Sequence, residues 1–353
     1  MAFVRHERLL LFLVLFRSLA APSRVPAVIV FGDSTVDAGN NNFIPTIARA
    51  NFPPYGRDFP GGRATGRFCN GRLATDFISE ALGLPSIVPA YLDPAYGIRD
   101  FATGVCFASA ATGLDAATSD VLSVIPLRQE MEFFKEYQQK LEAYMGKTKA
   151  NYIINEAVYI VSIGTNDFIE NYYSEVTERS EQFTVEEYED FLIRHAADFL
   201  TELHRLGARK VSFTGLTPFG CLPSERTSNL MNPGECMEEY NTVARDFNAK
   251  LQALTTRLCA ALPGLKLRLA PFYDLLLHVV QNPSSYGEFG EAKLYRGCCG
   301  TGKIEASYLC NQWNPFTCED ADKYAFWDSI HPSERLNRLC ANQTLRTSLA
   351  EFV

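Results

Sequence analysis

Of the five histidines, one stands where an imidazole can be presented for chemistry. His6 falls in the N-terminal leader, His195 and His204 fall inside one amphipathic helical stretch, and His278 stands in the apolar run 275–280, where packing accounts for it. His331 precedes Pro332, and proline disfavours helical backbone at the residue before it, so this ring is held on a turn. Asp328 lies three residues earlier, in Phe326-Trp327-Asp328-Ser329-Ile330-His331-Pro332. On a tight turn that spacing lets a carboxylate reach the near ring nitrogen and set the tautomer of a general base. The same residues also read as a helix-entry turn with an exposed histidine. A base of this kind needs a nucleophile. Ser34 closes Phe31-Gly32-Asp33-Ser34, directly after the apolar run 28–31. A serine at the carboxyl end of a buried parallel strand is where open α/β sheets place their sites. It equally suits a helix N-cap, and one serine can do both.

Two further stretches supply donors for a developing oxyanion. Asn166 in Val161-Ser162-Ile163-Gly164-Thr165-Asn166-Asp167 ends another strand-like run, and its side-chain amide can donate to negative charge. Gly113 closes Phe107-Ala108-Ser109-Ala110-Ala111-Thr112-Gly113 after a third such run, and its backbone N–H can join the same hole. Each stretch alone also reads as a Gly/Asn/Asp turn. Together they provide a nucleophile, a base with its orienter, and two oxyanion donors, the set that acyl transfer needs. No cofactor and no metal enters this chemistry.

These residues need a scaffold that brings distant segments to one edge. Continuous apolar runs at 25–31, 104–108, 158–163, 210–215 and 265–270 read as strands buried on both faces. Helical periodicity separates them, which predicts a parallel five-stranded sheet between two helical layers. Thr184 with Glu187 forms a capping box, and Leu192, Ala196, Phe199, Leu203 and Leu206 repeat at helical spacing up to Gly207. Another helix starts near Glu238 with the stripe Phe247, Leu251, Leu254, Leu258 and Leu262, ended by Pro263-Gly264. Stretches 127–144 and 73–82 read as two more. With no internal repeat or low-complexity linker, residues 25–353 are expected to form one domain.

Taken in order, Phe31-Gly32-Asp33-Ser34 with Val36-Asp37-Ala38-Gly39-Asn40-Asn41-Asn42, Pro54-Tyr55-Gly56, Thr65-Gly66-Arg67-Phe68, Phe107-Ala108-Ser109-Ala110, Gly164-Thr165-Asn166-Asp167, Gly207-Ala208-Arg209-Lys210 and Phe326-Trp327-Asp328 with His331-Pro332 resemble the plant branch of the GDSL esterase/lipase family, among the SGNH hydrolases. The resemblance spans essentially everything after the leader. It implies a three-layer α/β/α sandwich of flavodoxin-like topology, Ser34 as nucleophile, His331 as base with Asp328 as its partner, and an oxyanion hole made by Gly113, Asn166 and the Ser34 backbone N–H. Two positions depart from the family. Cys69 replaces a frequent Ser, and Cys106 stands where Asn or Thr is usual before Phe107; neither is a catalytic position. Ser34 also lies outside any G-x-S-x-G elbow, which sets aside the α/β-hydrolase template.

Arg5 and Arg8 precede the apolar run 9–16, and small residues Ser18, Ala20 and Ala21 follow. That order is a secretory signal peptide with cleavage near Ser18-Leu19-Ala20, so residues 1–24 are expected to be removed. The run is shorter than the roughly 20 residues of a membrane span and Arg17 interrupts it. Ten cysteines suit an oxidising destination. Cys221 and Cys236 flank a polar loop and can close it. Cys298 and Cys299 are each expected to reach Cys310 or Cys318, with the choice open. The absence of any C-x-x-C pair argues against a zinc site, and Cys69, Cys106, Cys259 and Cys340 read as buried small hydrophobes. Asn342 begins an Asn-Gln-Thr sequon and can carry a glycan in the secretory pathway. A 47% hydrophobic, 21% charged chain can build a full core, and its net charge of −8 without a Lys/Arg block argues against nucleic acid.

The expected protein is therefore extracellular, in the cell wall or apoplast. It would cleave carboxylic esters of acyl lipids or O-acetylated polysaccharides. Acyl transfer to an alcohol acceptor uses the same residues, and a binding protein on an inactive hydrolase scaffold would have lost one of them. Phe168, Tyr172 and Tyr173, or Tyr91 and Tyr96, are positioned in the chain either to line a cleft or to pack under loops.

Overall fold

The computed structural model describes residues 25–286, 289 and 295–353; the leader with His6 lies outside them. Five strands, β1 (Val28–Gly32), β2 (Gly104–Cys106), β3 (Val158–Ser162), β4 (Lys210–Thr214) and β5 (Lys266–Ala270), form one sheet in the order β2-β1-β3-β4-β5. Every neighbouring pair is parallel. Alternate residues enter opposite layers, as the period of a strand demands. Ile29 and Phe31 join the larger core beneath the helices Leu127–Met145, Val185–Arg205 and Glu238–Ala261. Val28 and Val30 join the smaller core beneath Ala74–Ala81 and Glu334–Arg346. The sheet is thus sandwiched between two helical layers, as expected.

The predicted strands 158–163 and 210–215 each overrun the observed ones by one residue. β1 starts later than predicted, at Val28, where its register with β3 begins opposite Val158. β2 ends at Cys106, although Phe107 and Ser109 still donate to the Val30 and Gly32 carbonyls at 2.8 Å each. The Thr184 capping box forms as read: its hydroxyl accepts from the Glu187 N–H at 3.3 Å and Glu187 accepts the Thr184 N–H at 2.9 Å. Among the described residues, no helix is long and apolar enough to cross a membrane.

What matters for function is where the strand order reverses. The chain leaves β1 for one side of the sheet, forms β2, then crosses to the other side for β3. The carboxyl ends of β1 and β3 therefore diverge into separate loops at a topological switch point, where such sheets open a crevice.

Candidate active site

The first element of the crevice is the turn after β1. Gly32 has φ of 131°, and a Cβ there would stand 1.9 Å from the Ser162 carbonyl oxygen of β3, so only glycine fits. Asp33 donates its N–H to that same carbonyl at 2.9 Å. Its carboxylate accepts the Thr35 N–H at 3.0 Å and the Thr35 hydroxyl at 2.6 Å, folding the chain sharply. Ser34 opens one turn and no regular helix follows, so the helix-cap reading does not hold. From below, buried Glu130 accepts the Gly32 N–H at 2.9 Å, and burial holds its carboxyl well above the usual range. Burial likewise pushes Asp33 up to about 6, against the lowering effect of Thr35 and His331.

The second element is the turn before Glu334–Arg346. Asp328 is fully buried. It accepts the backbone N–H groups of Ile330 and His331 at 2.9 and 2.7 Å, and the His331 Nδ1 lies 2.8 Å from its Oδ2. The i, i+3 spacing thus closes as predicted, with the ring fixed by its own turn. The opposite ring nitrogen, Nε2, lies 2.8 Å from the Ser34 Oγ, across 297 residues of sequence. The Phe68 ring packs on the imidazole with centroids 4.9 Å apart. Tyr55 completes this arm. Its hydroxyl donates to Asp328 Oδ2 at 2.6 Å and accepts the Ser307 N–H at 2.8 Å. Burial, with the adjacent carboxylate, holds the phenol well above its ordinary range, so it stays a donor.

The third element gathers the two donor loops. Asn166 is buried and its Nδ2 donates to the Thr112 carbonyl at 3.0 Å. An amide nitrogen carries two hydrogens, so one remains for a ligand. Asp167 ties the loops together by accepting the Leu114 N–H at 2.8 Å, the Asp115 N–H at 3.0 Å and the Thr118 hydroxyl at 2.6 Å. Gly113 lies so close that a Cβ would meet Asp167 Oδ1 at 2.2 Å. Burial pushes Asp167 up to about 7. The π-helical turn Asp167–Tyr172 follows, a device that recurs at functional sites. It carries Glu170, whose carboxyl is raised to about 7 by burial and lowered by the field of His331.

The aromatics after Asn166 do not line the crevice. Phe168 stacks on Phe219 and Tyr172 on Tyr188 in the core, and Tyr173 stacks on Tyr240 at 4.2 Å. Tyr91 is buried against Phe107, while Tyr96 is exposed. His195 packs edge-on against Phe191, His204 faces the Pro263 carbonyl, and His278 pairs with the Tyr286 hydroxyl. Tyr55, Glu130 and Asp167 had no assigned part in the sequence reading. Tyr55 and Asp167 stand inside the family-like motifs Pro54-Tyr55-Gly56 and Gly164-Thr165-Asn166-Asp167, whereas Glu130 stands in the helical stretch 127–144 with nothing in the sequence to mark it.

The cysteines pair as Cys221–Cys236, Cys298–Cys318 and Cys299–Cys310, which resolves the open choice and removes the zinc alternative for these six. Cys69, Cys106 and Cys340 are buried thiols, but Cys259 is only half-buried, because it lies near the exposed end of its helix. Cys106 fills the place of a polar side chain by donating to the Val36 carbonyl at 3.2 Å. Asn342 is exposed on the helix Glu334–Arg346 while Thr344 of its sequon is buried.

A family model described as GDSL-like Lipase/Acylhydrolase matches residues 28–344. The chain belongs to this family. It is 58% identical over 323 residues to the GDSL esterase/lipase At2g42990 of Arabidopsis thaliana, covering 91% of each chain. It is 54% identical over 354 residues to At4g26790 of the same organism, covering 99% of this chain and all of that one. The Arabidopsis GDSL esterase/lipase APG is 45% identical over 318 residues, 90% of this chain and 89% of its own. Identity at this level over nearly the whole length makes the protein an esterase/lipase hydrolase of the GDSL type.

Proposed function

We propose that this GDSL hydrolase cleaves carboxylic esters through an acyl-enzyme on Ser34. The Ser34 Oγ attacks the ester carbonyl carbon as its proton passes to His331 Nε2. Asp328 holds the ring and stabilises the imidazolium that forms. The tetrahedral oxyanion accepts hydrogen bonds from the Ser34 and Gly113 backbone N–H groups and the Asn166 amide. His331 then gives its proton to the departing alkoxide. Water repeats the cycle on the acyl-enzyme and frees the acid. The observation that carries this reading is the 2.8 Å separation of His331 Nε2 and Ser34 Oγ, with Asp328 on the other ring nitrogen.

Acyl lipids and O-acetylated polysaccharides are the proposed ester classes. Secretion is proposed from the leader 1–24, and the three disulfides and the plant relatives are consistent with it. Residues 25–353 would then be the mature single domain, with Asn342 available to a glycan. The test is Ser34→Ala assayed on a short-chain nitrophenyl ester. Turnover should vanish while the variant stays folded; activity near wild type would remove the proposal.

A further inference from the structure

Seven of the fifteen large apolar side chains exposed among the described residues lie within two disulfide-closed loops, two between Cys221 and Cys236 and five between Cys298 and Cys318. Leu230 and Met231 are 89% and 88% exposed in the first, and Trp313 and Phe316 are 82% and 70% exposed in the second. Tyr308 and Leu309 are exposed in the second loop as well. A soluble protein rarely gathers exposed apolar side chains this way without a partner surface. Each loop is closed at its base by a disulfide, and the second carries an inner bond between Cys299 and Cys310 as well.

Both loops are fastened to the turn that holds His331. Ser224 donates its N–H to the Ser329 carbonyl at 3.0 Å, Ser329 donates to the Glu305 carbonyl at 2.9 Å, and Cys299 donates to the Trp327 carbonyl at 2.7 Å. The bases of both loops are therefore tied to the turn that carries His331. Their sequences also exclude charge. No Asp, Glu, Lys, Arg or His occurs at 306–318 or at 227–234. A charged side chain on an inserted tip would lose its hydration at a cost of several kcal/mol, whereas aromatic side chains settle at a lipid–water boundary. The net charge of −8 repels an anionic surface, which leaves an uncharged or zwitterionic one.

We infer that the two stapled loops seat the cleft on the surface of aggregated neutral ester lipid, so that substrate enters from a lipid phase. This rests on the proposed Ser34–His331 cleft for which bond is cut, but attachment itself needs no turnover. The two can therefore be tested apart. Ser34→Ala is mixed with zwitterionic phosphatidylcholine vesicles containing triacylglycerol, then followed by sedimentation and tryptophan emission. Of the two tryptophans, Trp327 is fully buried, so a blue shift on mixing reports Trp313. The protein should co-sediment and shift. The Trp313→Ser/Phe316→Ser variant should bind at least about tenfold more weakly, as expected when two apolar side chains lose their burial. With Ser34 intact, the same double variant should hold kcat/KM on a soluble short-chain ester within about twofold and lose about tenfold or more on a triacylglycerol emulsion. Vesicles that sediment without the protein would overturn the inference. So would a lipid-free dimer, seen by analytical ultracentrifugation, that the double variant dissolves, because the patch would then belong to a second copy. Binding by Ser34→Ala alongside an inert Ser34 enzyme would leave the attachment standing and the hydrolytic proposal fallen.

Discussion

Tyr55→Phe removes a single oxygen from a buried position and should separate support of the base from the chemistry itself. The ring would stay where it is, packed edge-on against Phe52, Phe68 and Trp327, so the change opens almost no cavity. Two bonds are lost, to Asp328 Oδ2 at 2.6 Å and from the Ser307 N–H at 2.8 Å. A hydrogen bond to a charged group contributes about 1.5–3 kcal/mol, and an orphaned buried donor costs about 1–3 kcal/mol. The two belong to one network, so about 2–4 kcal/mol is expected rather than their sum. At this chain length each kcal/mol lowers Tm by roughly 2 °C. Catalysis should suffer less. Asp328 keeps the Ile330 and His331 N–H groups and the ring Nδ1, so kcat should fall less than about tenfold. Thermal melting and nitrophenyl-ester kinetics on the same preparation decide. An unchanged Tm would mean that the bridge contributes nothing, and a loss of kcat beyond about a hundredfold at unchanged Tm would put Tyr55 in the chemical step.

Other outcomes can be checked on the same assays. Asn166→Ala should cut kcat by about 10²–10³-fold with KM little changed, the usual result of removing an oxyanion donor; an unchanged kcat would reduce Asn166 to a turn residue. Gly32→Ala should abolish activity and lower Tm, because its Cβ would collide with the Ser162 carbonyl at 1.9 Å; wild-type kinetics would contradict the described turn. Stability should decline as pH rises. Burial raises Asp33 and Asp37 to about 6 and Asp167 to about 7. The folded state thus binds protons that the unfolded chain has released, a contribution complete below about pH 4 and lost on rising through about pH 6–7, at up to about 3 kcal/mol for each of the first two. Tm should be higher at pH 5 than at pH 8, and a steady rise over that interval would contradict these shifts.

The parts of the fold that could be read directly from the sequence are those whose signal is local. Strands β3 and β4 are buried on both faces, so continuous apolar runs mark them to within one residue. Asp328 and His331 lie three residues apart on a proline-bounded turn, and that spacing is itself the geometry. What stayed hidden depends on contacts across the chain. Tyr55 meets Asp328 over 273 residues and Glu130 meets Gly32 over 98; neither pairing leaves a periodic trace. Glu130 in particular looks like an ordinary helical surface charge until the packing of its helix against β1 is known. Asp167 reads in the sequence as part of a turn motif, but its role arises from three donors brought in by the loop after β2. For the aromatics after Asn166 the sequence leaves lining a cleft and packing under loops equally open, for the opposite reason. Their closeness in sequence to a site residue says nothing about direction, and the π-helical turn sends Phe168 and Tyr172 into the core.

The most direct measurement is covalent labelling by a fluorophosphonate, read by peptide mass spectrometry. Only a hydroxyl activated by an adjacent base reacts at a useful rate. The adduct should sit on Ser34, form much more slowly in His331→Ala, and be missing in Ser34→Ala. A label on any other residue, or equal labelling in His331→Ala, would contradict the account.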